Sequence, residues 1–330
     1  MHALVLDSRG QISLTDVPEA TLAGECRVRV TLAGICGTDL HMLEGYAGFS
    51  GIPGHEFVGV VETSPAADAH WIGKRVVGEI NVGCGTCEWC ARGVKEHCTN
   101  RTVVGIRGRA GAFAELLSLP AANLHHVPDV VDDAVAVFVE PVAAACRMLE
   151  QLDIDAATSI AVIGDGRLGI IAAQVLRTRT TSVTLFGRHA HKLDVARALD
   201  LDARTAAMAT DAAYDVVVDA TGRAGGFARA VAMVKPRGTI VLKSTFHGDV
   251  ATPLWPVPVH EITVIGSRCG PFAPALALLA SGAVRTAPLV SAMFALEAYP
   301  RAFATARREL KVLFEISSRS HRSSTTARRM

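Results

Sequence analysis

The chain has 330 residues, half of them hydrophobic, with 33 lysines and arginines against 32 aspartates and glutamates. That length exceeds one ordinary core and predicts two domains. A net charge of +1 leaves no basic field for nucleic acid, and no stretch approaches the roughly 20 apolar residues of a membrane helix, so a small-molecule partner is expected. The start, Met1 to Asp7, lacks a basic segment followed by a long apolar run, which predicts a cytoplasmic location. Eight cysteines in such a chain read as reduced thiolates available to metal rather than as a disulfide framework.

The N-terminal part reads as mostly β. Two short alternating runs between Leu4 and Leu14 flank Ser8 to Gln11 as a hairpin, and Cys26 to Leu32 alternates as a third strand. Gly34 and Gly37 bracket Cys36 and allow a sharp turn into a short helical segment over Thr38 to Leu43, which carries His41. After a glycine-rich turn, Gly54-His55-Glu56 stands at the mouth of a strand running from Phe57 to Glu62. Taken singly, Cys36 reads as a small buried hydrophobe and His55 as a hydrogen-bonded core histidine. Cys36, His55 and Glu56 together supply a thiolate, an imidazole and a carboxylate, the donor set of a zinc site that keeps one position open for chemistry.

Residues 84 to 98 hold a second cluster. Cys84, Cys87, Cys90 and Cys98 fit one tetrahedral ion wrapped by a single loop, and with no open position that zinc is structural. From Gly105 to Pro128 further β structure is expected, and from Asp132 the chain turns alanine-rich with helical spacing. Glu140-Pro141 opens a long helix through Leu149 that joins the two domains.

The second domain begins with the apolar run Ser159 to Ile163, followed at once by Gly164-Asp165-Gly166-Arg167-Leu168-Gly169 and a helical pattern through Arg177. A strand, a glycine loop and a helix N-terminus in this order cradle a dinucleotide pyrophosphate. Asp165 would face phosphate there, so it must point away or be offset by Arg167. Further strands at Val183 to Phe186, Asp215 to Gly222, Gly238 to Leu242 and Ile262 to Gly266 predict a doubly wound parallel sheet. After Gly282 the chain returns to the first domain, Glu309 to Glu315 closes it as a strand, and Ser317 to Met330 reads as a disordered tail.

These motifs resemble the zinc-dependent medium-chain alcohol and polyol dehydrogenase family from about residue 3 to about residue 315. The resemblance implies an α/β chain. A GroES-like, mostly β catalytic domain would cover 1–146 and 288–330, with its structural zinc lobe at 84–98, and a Rossmann coenzyme domain would cover 147–287. It also implies two zinc ions per chain, a nicotinamide cofactor, an alcohol or polyol substrate and a homo-oligomer, dimer or tetramer. Glu140 looks like the polyol and threonine dehydrogenase branch, where a glutamate is a direct or water-mediated fourth ligand. Lys74, where the family often carries an acidic residue, departs from the pattern.

Zinc in the open site would lower the pKa of a substrate hydroxyl so that hydride can pass to the nicotinamide. By the same resemblance Thr38 accepts the alcohol proton and His41 passes it to solvent; alternatively zinc-bound water with Glu140 or Glu56 carries it, and Thr38 merely caps a helix. A non-catalytic binder and a zinc-free reductase on the same scaffold are the competing readings, and the intact ligand spacing speaks against both. Cofactor choice rests on Leu185-Phe186-Gly187-Arg188-His189, where NAD users generally carry a carboxylate for the ribose hydroxyls. Gly187 makes room, Arg188 can hold a 2′-phosphate, and His189 and Lys192 add positive charge, so NADP is favoured over NAD. The plainer reading makes Arg188 a solvated turn residue stacking on adenine, which leaves the choice open.

Overall fold

Residues 1–19, 22–45, 48–243 and 251–317 are described by the computed structural model, and the chain divides into two units, Met1–Phe138 with Val290–Met330, and Val139–Leu289. The tail expected beyond Ser317 lies outside the described residues. Ser317 itself donates its hydroxyl to the Val30 carbonyl at 2.6 Å.

In the first unit, β1 (His2–Leu6) and β2 (Ile12–Asp16) form the antiparallel hairpin that their alternation predicts. There follow β3 (Cys26–Gly34), α1 (Gly37–Met42), β4 (Glu56–Thr63) and β5 (Arg75–Gly78). A lobe with β6 (Asn81–Val82), α2 (Glu88–Ala91), β7 (Thr102–Val104) and β8 (Gly108–Arg109) precedes β9 (Leu116–Leu119), β10 (Leu124–His126) and α3 (Asp133–Ala136).

The second unit opens on α4 (Val139–Gln151) and continues as β11 (Ile160–Ile163), α5 (Arg167–Arg177), β12 (Val183–Gly187), α6 (Ala190–Ala198) and β13 (Asp202–Thr205). It ends with β14 (Tyr214–Asp219), α7 (Gly225–Met233), β15 (Val234–Leu242), α8 (Pro256–Val259), β16 (Thr263–Gly266) and α9 (Phe272–Ala280). The chain then re-enters the first unit as β17 (Val290–Ala295), α10 (Tyr299–Ala306) and β18 (Lys311–Glu315).

The main sheet of the first unit runs β10-β5-β4-β3-β18-β17, with β9 also paired to β3. Its closing strand comes from the far end of the sequence, Leu313 lying opposite Gly34 and Phe314 opposite Ala33. Phe113, Phe303 and Phe314 meet edge to face, with centroids 5.1 to 6.1 Å apart, an arrangement that suits the ring quadrupoles. This trio fills the core immediately behind the segment that carries His55.

The second unit is a six-stranded parallel sheet in the order β13-β12-β11-β14-β15-β16. All four residues of β11 are buried, which is why the sequence shows a continuous apolar run there instead of alternation. Strand order reverses between β11 and β14, and such a switch point is where open α/β sheets bind ligands. The division expected at 146/147 falls inside α4. That helix packs through Val142, Ala143, Ala145, Cys146 and Met148 and contacts α5 and α9, so it belongs whole to the second unit. No helix among the described residues is long and apolar enough to cross a membrane.

Candidate functional site

The turn from β3 into α1 is a reciprocal cap. Cys36, the N-cap residue, has an extended backbone; its amide donates to Asp39 Oδ2 at 2.7 Å, while its sulfur faces the Asp39 amide. Two donors that a helix start leaves orphaned are thereby satisfied. The other Asp39 oxygen faces His55 Nδ1 at 3.4 Å, with both side chains buried, an arrangement that orients the ring and leaves Nε2 for a metal. Gly54 enters His55 at φ +95°, and a Cβ there would lie 2.5 Å from the Phe113 ring, so only glycine brings the chain this close to the aromatic core.

Glu56 opens β4 and pairs with Lys311 of β18, both fully buried. Gly34 makes room for that lysine, since an added Cβ would meet Lys311 Cε at 2.6 Å. Ligand atoms of Cys36, His55 and Glu56 all lie within 4.8 Å of one another. Beyond the Lys311 ion pair, neither Glu56 oxygen has a hydrogen-bond donor of good geometry among the described residues, an imbalance that buried polar groups rarely tolerate. Burial would lower the His55 imidazole, but Asp39 and Cys36 outweigh it and hold its pKa well above the ordinary value. Burial brings the Lys311 ammonium down to about 8, against the pull of Cys36 and Asp39. An acid-rich interior with sulfur, nitrogen and oxygen donors at one point suits a zinc ion with an open position.

Thr38 Oγ1 lies 3.9 Å from Cys36 Sγ. The capping role considered for Thr38 is filled by Cys36 and Asp39. His41 is partly exposed, with Nδ1 3.7 Å from Glu44. Glu140 lies in the first turn of α4 in the second unit, where its charge acts on the buried Lys243.

The ligand atoms of Cys84, Cys87, Cys90 and Cys98 also fall within 4.8 Å of one another, with Cys98 buried and Cys84 exposed. No disulfide joins the cysteines. The Thr86 amide and hydroxyl draw Cys84 down to about 6. Cys87 is pushed up to about 11, the Cys90 amide being outweighed by desolvation and by the three neighbouring thiols. Crowded thiols that resist joint ionisation are relieved by a cation among them, so this cluster fits a closed zinc site.

In the second unit, Gly164 turns at φ +120° with the Ala220 carbonyl where a Cβ would go, and Gly166 caps α5. Arg167, Leu168 and Gly169 form the first turn of α5, and Gly169 lets that helix sit against the Gly164 carbonyl. A cavity of about 460 Å³ is lined by Gly164, Asp165, Gly166, Gly187, Arg188, His189, Lys192 and Arg223 among others. Asp165, expected either to point away or to be balanced by Arg167, turns to the end of β12. Its Oδ2 accepts the Arg188 and His189 amides, both at 2.6 Å, and the His189 ring nitrogen Nδ1 lies 3.0 Å from Oδ1 and 3.1 Å from Oδ2. Burial raises this carboxyl, and the His189 amide and ring and the Arg188 amide more than offset it, leaving its pKa below the usual range.

Residues 22–129 match the family model of the alcohol dehydrogenase GroES-like domain and residues 167–281 that of the zinc-binding dehydrogenase domain. D-arabinitol dehydrogenase 1 of Uromyces fabae is 30% identical over 302 residues, covering 84% of this chain and 85% of that one. The chain belongs to the medium-chain dehydrogenase family. The sorbitol dehydrogenase of Halalkalibacterium halodurans is 26% identical and covers 92% of this dehydrogenase and 95% of its own length. A Sinorhizobium meliloti 1021 protein described as a zinc-binding dehydrogenase and solved bound to NADP superposes with a TM-score of 0.86 at 29% identity, covering 96% and 99% of the two chains. An Escherichia coli CFT073 dehydrogenase, rspB, solved with NADH, gives 0.86 at 25% identity, covering 96% and 99%. As a member of the family, this dehydrogenase is an oxidoreductase that acts on CH–OH groups with a nicotinamide cofactor.

Two residues of the site carry no role in the sequence reading. Asp39 was legible in principle, because an acid three residues after an N-cap is the capping-box signature. Lys311 offered only a weaker signal, a lysine opening a short strand whose next three residues are apolar. In the metal-free dehydrogenase the raised pKa of His55 stabilises the fold fully below the ordinary imidazole value, and the benefit is lost as pH rises through the folded-state pKa. Asp39→Asn is expected to lower the His55 pKa and flatten that pH dependence. Imidazole NMR titration and denaturant unfolding of the chelated protein from pH 6 to 9 measure both, and an unmoved His55 resonance would remove Asp39 from the site.

Proposed function

We propose that this dehydrogenase binds two zinc ions and oxidises a small alcohol or polyol with NADP. The observation that carries the catalytic assignment is the convergence of the half-buried Cys36 with the buried His55 and Glu56 in an acid-rich surround. These three would hold the catalytic ion, with Glu140 as a direct or water-mediated fourth ligand on the strength of the resemblance alone. Bound there, zinc supplies a Lewis acid that lowers the pKa of a substrate hydroxyl. Asp39 orients the His55 ring, and Lys311 balances the Glu56 charge in an interior where an unpaired carboxylate is costly. Thr38, beside Cys36, accepts the alcohol proton, and the partly exposed His41 passes it to solvent. Cys84, Cys87, Cys90 and Cys98 would hold the second ion, which braces the lobe and takes no part in chemistry. The D-arabinitol and sorbitol dehydrogenases among its relatives support a polyol as the substrate class.

Support for NADP comes from the cavity at the end of β12, which is lined by Arg188, His189, Lys192 and Arg223 and by a single carboxylate, Asp165, that is already hydrogen-bonded. The Gly164-to-Gly169 loop would take the pyrophosphate, and the room that Gly187 leaves at the strand end is filled by the Asp165 side chain. The neighbouring solved structures hold NADP in one case and NADH in another, so cofactor choice turns on this chain's own residues. β16 is the edge of the parallel sheet, with Val264 exposed on it and Leu254, Trp255 and Val259 exposed just before it. Exposed apolar edges pair, which supports a homo-oligomer built on this edge.

Three outcomes are expected. Elemental analysis should give two zinc ions per chain; Cys36→Ser should retain one, keep its fold and lose turnover, whereas Cys98→Ser should lower the melting temperature, and one zinc in the parent would sink the catalytic assignment. Arg188→Asp should weaken NADP use by at least about tenfold, the loss of a charge-assisted phosphate contact, with NAD use little changed; an unaltered ratio of catalytic efficiencies would remove the NADP argument. Sedimentation at micromolar concentration should give a dimer or tetramer, and a monomer would refute the edge pairing.

A further inference from the structure

Asp165 sits inside the phosphate-binding loop, where a carboxylate opposes the ligand, so its presence calls for a physical reason. The residue is buried, and one oxygen receives two consecutive backbone amides, those of Arg188 and His189, at 2.6 Å each. The His189 ring spans both oxygens at 3.0 and 3.1 Å. A ring nitrogen facing an ionised carboxylate carries its proton, so Nδ1 points inward and Nε2 remains on the exposed side. The carboxylate thus fixes the backbone from which the Arg188 side chain departs, and fixes the tautomer and direction of its neighbour.

The position it occupies is equally specific. An added Cβ on Gly187 would lie 2.5 Å from Asp165 Oδ2. Gly187 closes β12, close to where NAD-dependent enzymes place the acid that accepts the ribose hydroxyls. A side chain at 187 and the observed Asp165 exclude each other. The acid of this dinucleotide fold stands on the glycine loop instead of the strand end, and three donors take up its charge there.

We propose that Asp165 is a specificity-determining positioning residue, holding Arg188 and His189 where they engage a 2′-phosphate without itself touching the cofactor; this rests on the NADP reading above. The competing role, a ribose acceptor displaced by one loop, has the opposite sign. Loss of a positioning carboxylate weakens binding of the phosphorylated ribose, whereas loss of an acceptor carboxylate removes repulsion and improves it. A purely structural role would weaken all adenine ligands alike.

The test uses the full-length, zinc-loaded protein and compares dissociation constants for 2′,5′-ADP and 5′-AMP, and for NADP and NAD, by calorimetry. In Asp165→Asn, 2′,5′-ADP and NADP should bind at least about tenfold more weakly, the scale of a lost hydrogen bond to charge, while 5′-AMP and NAD change little and the His189 imidazole resonance moves. Gly187→Ala, which keeps the acid but displaces it, should give the same loss of selectivity and serves if Asp165→Asn folds poorly. Asp165→Gly combined with Gly187→Asp returns the acid to the strand end and should reverse the preference toward NAD. A parent that prefers 2′,5′-ADP, with a ratio left unchanged or raised in Asp165→Asn and Gly187→Ala, overturns the proposal alone. A parent that binds 2′,5′-ADP no better than 5′-AMP overturns the NADP reading and this inference with it.

Discussion

The carboxylate of Asp39 is the constraint on which the candidate metal centre depends. One oxygen ties down the Cys36 amide and the other faces the His55 ring, so a single buried acid fixes the start of α1 and a side chain that precedes β4. Neither ligand belongs to the interior of a regular element. Cys36 stands at a helix N-cap and His55 follows a glycine held in the left-handed region. Loops of this kind keep a set geometry only when their polar groups are satisfied locally; Asp39 satisfies the Cys36 amide by a hydrogen bond and sets a charge against the His55 ring. The Phe113, Phe303 and Phe314 cluster, against which Gly54 packs, closes the same segment from the apolar side.

The two cysteine-containing clusters differ in a way that follows from their surroundings. Around Cys36 the donors are mixed, two of the three are buried, and an acid-rich interior is balanced by Lys311 and His55. Around Cys84 the donors are alike, partly exposed and carried on a loop with little regular structure. The first arrangement persists through packing, and an ion would add chemistry to it. The second has few apolar contacts to hold it, so an ion would supply the cross-link that a core does not.

Much of the architecture was legible because its physical causes are local. The apolar run of β11, the glycines around residue 164 and the cysteine spacing from 84 to 98 each announce an element or a donor set within a few residues. β17 was not legible in that way, since its residues alternate between half-buried and exposed at the edge of the sheet and none is buried. Lys311 escaped for a different reason. Its role is defined by Glu56, which is remote in sequence and reaches it only because β18 pairs with β3 and β3 with β4. The direction taken by Asp165 was likewise undecidable from the loop, because its partners sit at the end of the next strand.

The return of the chain to the first unit has a consequence for biosynthesis. The second unit is continuous in sequence, whereas the first needs β17 and β18, which follow all of it. A chain leaving the ribosome therefore presents Cys36, His55 and Glu56 early, on a sheet that still lacks β18. Domains fold as units during synthesis, and here the later-made coenzyme unit can close first. Until Lys311 emerges, Glu56 has no cation opposite it and the edge of β3 that β18 will cover stays open to water. Translation order thus assigns the sealing of the candidate metal pocket to β18, and a nascent chain arrested before residue 311 would carry Cys36, His55 and Glu56 without the wall behind them.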